Sequence, residues 1–485
     1  MNNKNIILKS VSKKIIADKF TPVSVYNIFK DSSYSFLLES VEKGKMGRYT
    51  FIGFSPKQVY KLYKDKVAVF NKAQGDKYIL NEEISTIDPM EVVRQVHEGY
   101  VLHNGSNEPP FCGGLVGYIG YEAIGTWEKI KFDNSNDIAL PLGILVFADE
   151  MIVFDHIYNT VEIIKLVEED DYNSSEGKKR TQKRIDEIIN ILNTSVKPLN
   201  DLSLESSREL QIKSNFTEDE FKKRVLNIKE EIFSGEIIQG VFSQRLETPV
   251  KGDPYNYYRA LRAINPSPYM FYLKLDDMII CGSSPEVMVK VTGSNAMVCP
   301  IAGTRPRGKT EEEEEKLIKE LQSDTKERAE HVMLVDLGRN DLGRVCKYST
   351  VTVENIMAVE KYSHVMHMVT DVYGKLKDGI TGVDVFKACF PAGTVSGAPK
   401  IRAIQIIEEQ ENLARGPYAG AVGYFSFTGD MDMGIIIRTM VIYDGMIYVQ
   451  AGAGIVADSV PEKEYHETLN KARALLEAVR LGGIE

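Results

Sequence analysis

Two pairs of glutamates are the first residues whose type and spacing could do chemistry. Glu327 and Glu330 stand three apart in TKERAEHVMLVDLGRND, and Glu464 and Glu467 three apart in VPEKEYHETLNKARALLEAV. Both segments read as helices, and residues at i and i+3 share a helix face. Two such faces brought together would offer a carboxylate cage to a hard cation such as Mg²⁺, which takes oxygen ligands and keeps water and substrate anions in its shell. Taken alone, such pairs are more often a solvated face. Arg438 follows three isoleucines in MGIIIRTMVIY and reads as part of a buried strand, where an unpaired guanidinium is costly. A substrate carboxylate in bidentate contact would satisfy it, as would a structural salt bridge. Gly452, Ala453 and Gly454 in MIYVQAGAGIVADS could bring backbone N–H groups close to an anion, although tight turns explain most such triplets. His364 and His367 sit in the apolar stretch KYSHVMHMVT. Either could move protons near neutral pH, while a buried histidine is more often a satisfied core residue. Thr394 and Ser396 lie in the small-residue loop PAGTVSGAPK, which could shape a substrate or simply lead into the helix IRAIQIIEE.

The elements that must position these residues differ along the chain. Residues 1 to 165 read as short strands with Gly and Pro punctuation, as in RYTFIGFSP and GILVFADEMIVFDHIYNTVEIIKLV, which suggests antiparallel sheet. Residues 166–214 turn polar around EEDDYNSSEGKKR and carry a short amphipathic helix at RIDEIINILN, a tether or surface helix. Thr217 and Glu220 form a capping-box pattern ahead of Phe221, Val225, Ile228 and Ile232 at helical spacing. Strands and helices then alternate irregularly. Thr310 precedes the acidic run Glu311 to Glu315, which suits a helix start. The last helix has Ser459 as N-cap candidate and Pro461 in its first turn.

Bulk properties exclude several classes. With 485 residues, 43% hydrophobic and 26% charged, core burial is not limiting. A net charge of −10 with no basic patch gives nucleic acid no footprint. No apolar run reaches the length of a membrane span, and the N-terminus lacks the apolar region of a signal peptide. Five scattered cysteines without a CxxC pair suit reduced thiols in a cytoplasmic protein.

Taken in order, GSSPE (from Gly282), PIAGTRPRG (from Pro300), ERAEHVMLVDLGRND (from Glu327), the His367 strand, PAGTVSGAPK, GPYAGAVGY (from Gly416), IIIRTM, QAGAGIVADS and the final ExxE helix resemble the chorismate-binding enzyme family over about residues 215 to 480. LLES (from Leu37) and RYTFIG are similar to the amino-terminal half of its anthranilate synthase large subunits. The resemblance implies a two-lobed α+β fold with large, mainly antiparallel sheets and flanking helices. It divides the chain into an N-terminal region with a feedback site (1–165), a linker with a surface helix (166–214) and a catalytic region (215–485). It implies conversion of chorismate and ammonia to anthranilate and pyruvate in tryptophan biosynthesis, with Mg²⁺ on Glu330 and Glu467 and, through water, Glu327 and Glu464. The resemblance assigns the catalytic roles to Glu286, His367 and Thr394, and substrate contacts to Gly303, Thr304, Tyr418, Arg438, Gly452, Ala453 and Gly454. It also implies an L-tryptophan inhibitor pocket formed by Glu39, Ser40, Asn265, Pro268, Tyr269 and Met270.

Within that family, water-using isochorismate and salicylate synthases carry an activating lysine where this chain has Gln239, which cannot take a proton at neutral pH. Aminodeoxychorismate synthases often carry a nucleophilic lysine where PIAGT has Ala302. An aminodeoxychorismate synthase, an isochorismate synthase and a non-catalytic tryptophan-binding regulator are the alternatives. Residues Met433 and Gly434, before the IIIR strand, depart from some family members. Ammonia is expected from a separate glutamine amidotransferase subunit, in a heterotetramer: no cysteine sits in a GxCxG nucleophile turn, Cys112 in PFCGGLVGY comes nearest, and the chain ends just after the ExxE helix.

Overall fold

The computed structural model describes residues 5–40, 47–103, 108–196, 198–199, 201–202, 209–361 and 365–483; His364 lies outside them. Strands of these residues form a 13-stranded and a 12-stranded sheet. All strand pairings but one, Ile6–Ile16 beside Tyr100–Leu102, are antiparallel. Helices flank both sheets, as an α+β fold requires.

Period-two alternation explains how the sheets pack. Phe36, Phe51, Phe271 and Ile280 of the larger sheet face a shared core with Val59, Val116 and Val289 of the smaller one. Their neighbours Leu37, Ile52, Tyr272 and Cys281 face the other way, against Tyr255, Tyr258, Leu475 and Val479 of helices Pro254–Ile264 and Pro461–Gly482. The N-terminal and C-terminal ranges share both sheets: Tyr34–Glu39 pairs with Tyr269–Leu275, and Gly114–Ile119 with Ala421–Ser426. Within 166–214, helix Ser175–Ser195 is more than a tether. Its Ile185, Ile188 and Leu192 are fully buried in the outer core, each contributing roughly 1.5–3 kcal/mol.

Local signals hold where the chemistry is local. Thr217 and Glu220 close a capping box on helix Glu218–Phe233, and Thr310 caps helix Glu311–Ser323. Ser459 does not cap the last helix: its hydroxyl accepts the Val456 amide at 3.1 Å, Val460 takes the cap position, and Pro461 occupies the first turn.

At two of the places where the chain steps from one sheet to the other, the step holds a candidate residue. Strand Met278–Ser284 belongs to the larger sheet and Val287–Thr292 to the smaller, with Glu286 between them. Strand Met431–Ile435 belongs to the smaller and Thr439–Tyr443 to the larger, with Arg438 between them. Arg438 is therefore not inside a strand, as its isoleucines suggest, but at a crossing, with φ 52°. The two crossings are hydrogen-bonded side by side, Ile435 N–H to Glu286 O and Ser283 N–H to Arg438 O, both at 3.0 Å.

Candidate active site

A cavity of about 490 Å³ opens where the crossings meet helices Thr325–Val345 and Pro461–Gly482. It brings together Glu286, Gly303, Thr304, His367, Thr394, Tyr418, Arg438, Gly452 and Gly454, and the four glutamates Glu327, Glu330, Glu464 and Glu467. Ala453 does not line it; its side chain is buried in the core under helix Glu218–Phe233. The Gly-Ala-Gly triplet is not a turn but the end of strand Met446–Ile455, paired with Val241 to Ser243. Its glycines are set by close approach instead. A Cβ on Gly454 would sit 2.4 Å from Gln239 Nε2, and one on Gly452 2.8 Å from the Tyr418 hydroxyl.

Glu286 is buried (7% exposed). Burial pushes its carboxyl up to about 8, against the pull of the Thr394 hydroxyl and the Ile301 amide. It is therefore a neutral acid at pH 7, able to donate a proton. His367 lies across from Thr304 on the paired strand, next to the bulge at Gly303. A carbonyl only accepts, so the Nδ1 hydrogen donates to Gly303 O (3.2 Å), with Thr304 Oγ1 at 3.1 Å. Burial lowers its pKa, so the ring is neutral with Nε2 unprotonated.

Arg438 donates from Nη1 to Lys471 O at 2.8 Å. Among the described residues no carboxylate stands within ion-pair distance of it, and burial lowers its pKa. A guanidinium held so in a cavity wall asks for an anion.

The two ExxE helices put their carboxylates on one cavity. Burial raises Glu330, which accepts from Gln239 Nε2 at 3.1 Å, and the Glu327 charge raises it further. Burial likewise raises Glu464, helped by Glu467. Glu327 pairs with Arg305 at 3.3 Å and Glu467 with Lys471 at 2.7 Å. Among the described residues no three acidic or histidine side chains converge as a ready metal cage. A hard donor set of carboxylates, of which Glu330 and Glu464 are desolvated, nonetheless fits a divalent cation that completes its shell with water and a substrate anion. Lys326, Lys471 and Gln450 also line the cavity and were not picked out from the sequence. Lys471 alone had a local signal, its i+4 spacing from Glu467.

A second cavity, about 250 Å³, is lined by Glu39, Ser40, Pro268, Tyr269 and Met270 with Arg48, Lys290, Tyr424 and Asp432. Asn265 does not line it; its side-chain amide donates to Ser283 Oγ at 3.4 Å. Glu39 is committed to Arg262 (2.7 Å) and Tyr258, while Ser40 Oγ is buried without a partner among the described residues. Three chain segments run from this cavity to the first: Lys290 back to Glu286, Tyr424 back to Tyr418, and Asp432 on to Arg438.

None of the five thiols is built as a nucleophile. Cys112, Cys281, Cys346 and Cys389 are buried, and burial pushes all five thiols up. Among the described residues no helix is long and apolar enough to cross a membrane.

Residues 33–477 match the model of the chorismate binding enzyme family. The chain is 46% identical to anthranilate synthase component 1 of Acetivibrio thermocellus over 482 residues, 98% of this chain and 95% of that one. The crystal structure of anthranilate synthase component I from Streptococcus pneumoniae superposes with a TM-score of 0.75 at 34% identity, covering 96% of this chain and 99% of that one. The menaquinone-specific isochorismate synthase of Escherichia coli shares the fold (TM-score 0.70, 98% and 95% covered) at only 18% identity.

Proposed function

Because this chain belongs to the family of chorismate binding enzymes, we propose that its large cavity converts chorismate and ammonia to anthranilate, pyruvate and water, in tryptophan biosynthesis. The observation that carries this is the convergence of Glu286, His367, Arg438 and two ExxE pairs on one cavity in a chain 46% identical, nearly end to end, to an anthranilate synthase component 1.

Chorismate carries two carboxylates, and the cavity has two places for them. Arg438, Tyr418 and the backbone at Gly452–Gly454 receive the enolpyruvyl carboxylate, with Gly303 and Thr304 against the ring. Glu330 and Glu467, with Glu327 and Glu464 through water, would hold Mg²⁺ against the ring carboxylate, where the bound ion supplies electron withdrawal from the ring. Ammonia adds at C2 while Glu286, held protonated by its burial, gives its proton to the C4 hydroxyl, which leaves as water. The new ammonium at C2 gives up a proton that replaces the one Glu286 spent. His367 Nε2 then takes the C2 proton, the ring C–O bond to the enolpyruvyl group breaks with its electron pair leaving on oxygen, and the ring becomes aromatic. The released enolate takes up a proton to become pyruvate. Arg438 and Tyr418 hold the departing three-carbon unit in place until that bond breaks.

Gln239, tied to Glu330, is no base for water, and the buried Ala302 offers no amine, which supports ammonia addition over the isochorismate and aminodeoxychorismate readings. The thiols, all pushed up by burial, give glutamine hydrolysis no nucleophile, so a separate glutamine amidotransferase subunit delivers the ammonia, in a heterotetramer. The second cavity takes L-tryptophan as feedback inhibitor, and the shared segments carry its effect. The reduced thiols fit a cytoplasmic setting.

The test is direct. Purified chain with chorismate, Mg²⁺ and ammonium should yield anthranilate, read by fluorescence and mass, with one pyruvate per anthranilate. Isochorismate or aminodeoxychorismate as the sole product would overturn the reading.

A further inference from the structure

Beneath the cavity lies an ion pair that does not line it. Arg415 (4% exposed) and Glu411 (7%) are both buried, four residues apart in the segment that follows helix Lys400–Gln410. Glu411 Oε2 accepts from Arg415 Nε at 2.8 Å and Oε1 from Nη2 at 2.7 Å. The rest of the guanidinium fork reaches elsewhere: Nη1 donates to Val395 O at 2.7 Å and Nη2 to Val241 O at 2.6 Å. Its planar face lies 5.5 Å from the ring of Tyr418 and 4.5 Å from that of Tyr121.

Glu411 extends the network. Its Oε1 also accepts the Ser243 amide (2.9 Å) and hydroxyl (2.7 Å), and Ser243 Oγ in turn accepts from Gln450 Nε2 at 2.8 Å. Glu122, from the N-terminal range, takes the amides of Arg415 (2.7 Å) and Gly416 (3.0 Å) and pins the turn that leads to Tyr418. One pair thus ties together four pieces of cavity wall from separate parts of the chain: Val395 beside Thr394, Val241, Tyr418 and Gln450.

Replacing a buried ion pair by apolar residues is often neutral or stabilising, so stability alone is a weak reason for one here. A lysine would offer one charge but not the fixed fork that spans Glu411, Val395 and Val241 together. We infer that Arg415 and Glu411 are positioning residues of the site: the pair sets Tyr418, the Thr394–Val395 loop and Gln450 relative to one another, and so governs how tightly chorismate binds rather than how fast it reacts. This rests on the function proposed above, in which Tyr418 meets the enolpyruvyl carboxylate.

The experiment compares Arg415→Lys, Glu411→Gln and Ser243→Ala with the wild type, using chorismate, Mg²⁺ and ammonium and following product fluorescence alongside thermal melting. Arg415→Lys should raise the chorismate KM at least about tenfold while kcat falls less than about threefold and the ammonium KM stays put, the pattern of lost binding shared by ground and transition state. Glu411→Gln should follow it in direction. Ser243→Ala cuts only the link from Glu411 to Gln450 and leaves the ion pair whole. It should raise the chorismate KM about threefold with an unchanged melting midpoint. Wild-type chorismate KM in the folded variants, or a rise matched by an equal fall in kcat, overturns the inference. Should Arg415→Lys fail to fold, Ser243→Ala decides: an unchanged KM overturns it. A wild-type chain that turns chorismate into some other product refutes the proposed function instead, and the same KM and kcat split is then read on that product.

Discussion

Glu286→Gln should abolish turnover and yet stabilise the protein at alkaline pH. Burial raises the Glu286 carboxyl from its ordinary 4.5 to about 8. Its contribution to stability is fully present below the unfolded value and is lost as pH rises toward the folded one, because the folded state holds the proton more tightly. Over that interval each unit is worth about 1.4 kcal/mol, so the wild type loses roughly 5 kcal/mol between pH 4.5 and 8 from this group alone. Glutamine keeps the shape and carries no charge, so the variant escapes the loss. An unfolding entropy of about 2 cal/mol/K per residue over 485 residues gives roughly 1 kcal/mol per degree. The two proteins should melt together near pH 5 and stand about 5 °C apart near pH 9, the variant higher. Scanning calorimetry at fixed scan rate from pH 5 to 9 measures the gap, and anthranilate fluorescence measures the lost activity. Wild-type kcat at fixed free ammonia should fall as pH climbs through about 8. A melting difference that is flat from pH 5 to 9 would show that Glu286 is already ionised when folded, and the general-acid role would go with it.

Removing metal with EDTA should stop anthranilate formation and Mg²⁺ should restore it; Glu330→Gln and Glu467→Gln should each cut turnover at least about tenfold, and full activity in both would dismiss the carboxylate site. Gly454→Ala places a methyl 2.4 Å from the Gln239 amide, so it should cost at least about tenfold in kcat/KM with little loss of melting temperature; wild-type kinetics would mean the close approach does not matter. Millimolar tryptophan should inhibit, and Ser40→Phe should abolish that inhibition while sparing catalysis; indifference of the wild type to tryptophan would refute the second cavity as its site. The chain alone should use ammonium, better at high pH over the range where Glu286 stays protonated, and not glutamine until a glutaminase subunit is added; steady glutamine-dependent turnover by the pure chain would refute the division of labour.

The sequence by itself determined what depends on near neighbours. The capping box at Thr217 and the spacing of Glu327 with Glu330 and Glu464 with Glu467 are properties of single helices, so each could be read locally. The ordered motifs then named the residues that share the large cavity, because a motif keeps residue type and order even where contacts are unseen. Tertiary structure decided the rest. Arg438 looked like a strand residue since three isoleucines precede it, but strand pairing is nonlocal, and only the partners of Met431–Ile435 and Thr439–Tyr443 reveal that the chain changes sheets there. The Gly-Ala-Gly triplet read as a turn because nothing local announces Tyr418 and Gln239 pressing on a strand. Asn265 sits close in sequence to the second cavity's wall yet bonds to Ser283, and Ser459 spends its hydroxyl on Val456 rather than on a helix end. The Arg415–Glu411 pair carries no sequence signal beyond i+4 spacing, since what it does is tie together walls that only folding brings within hydrogen-bond reach.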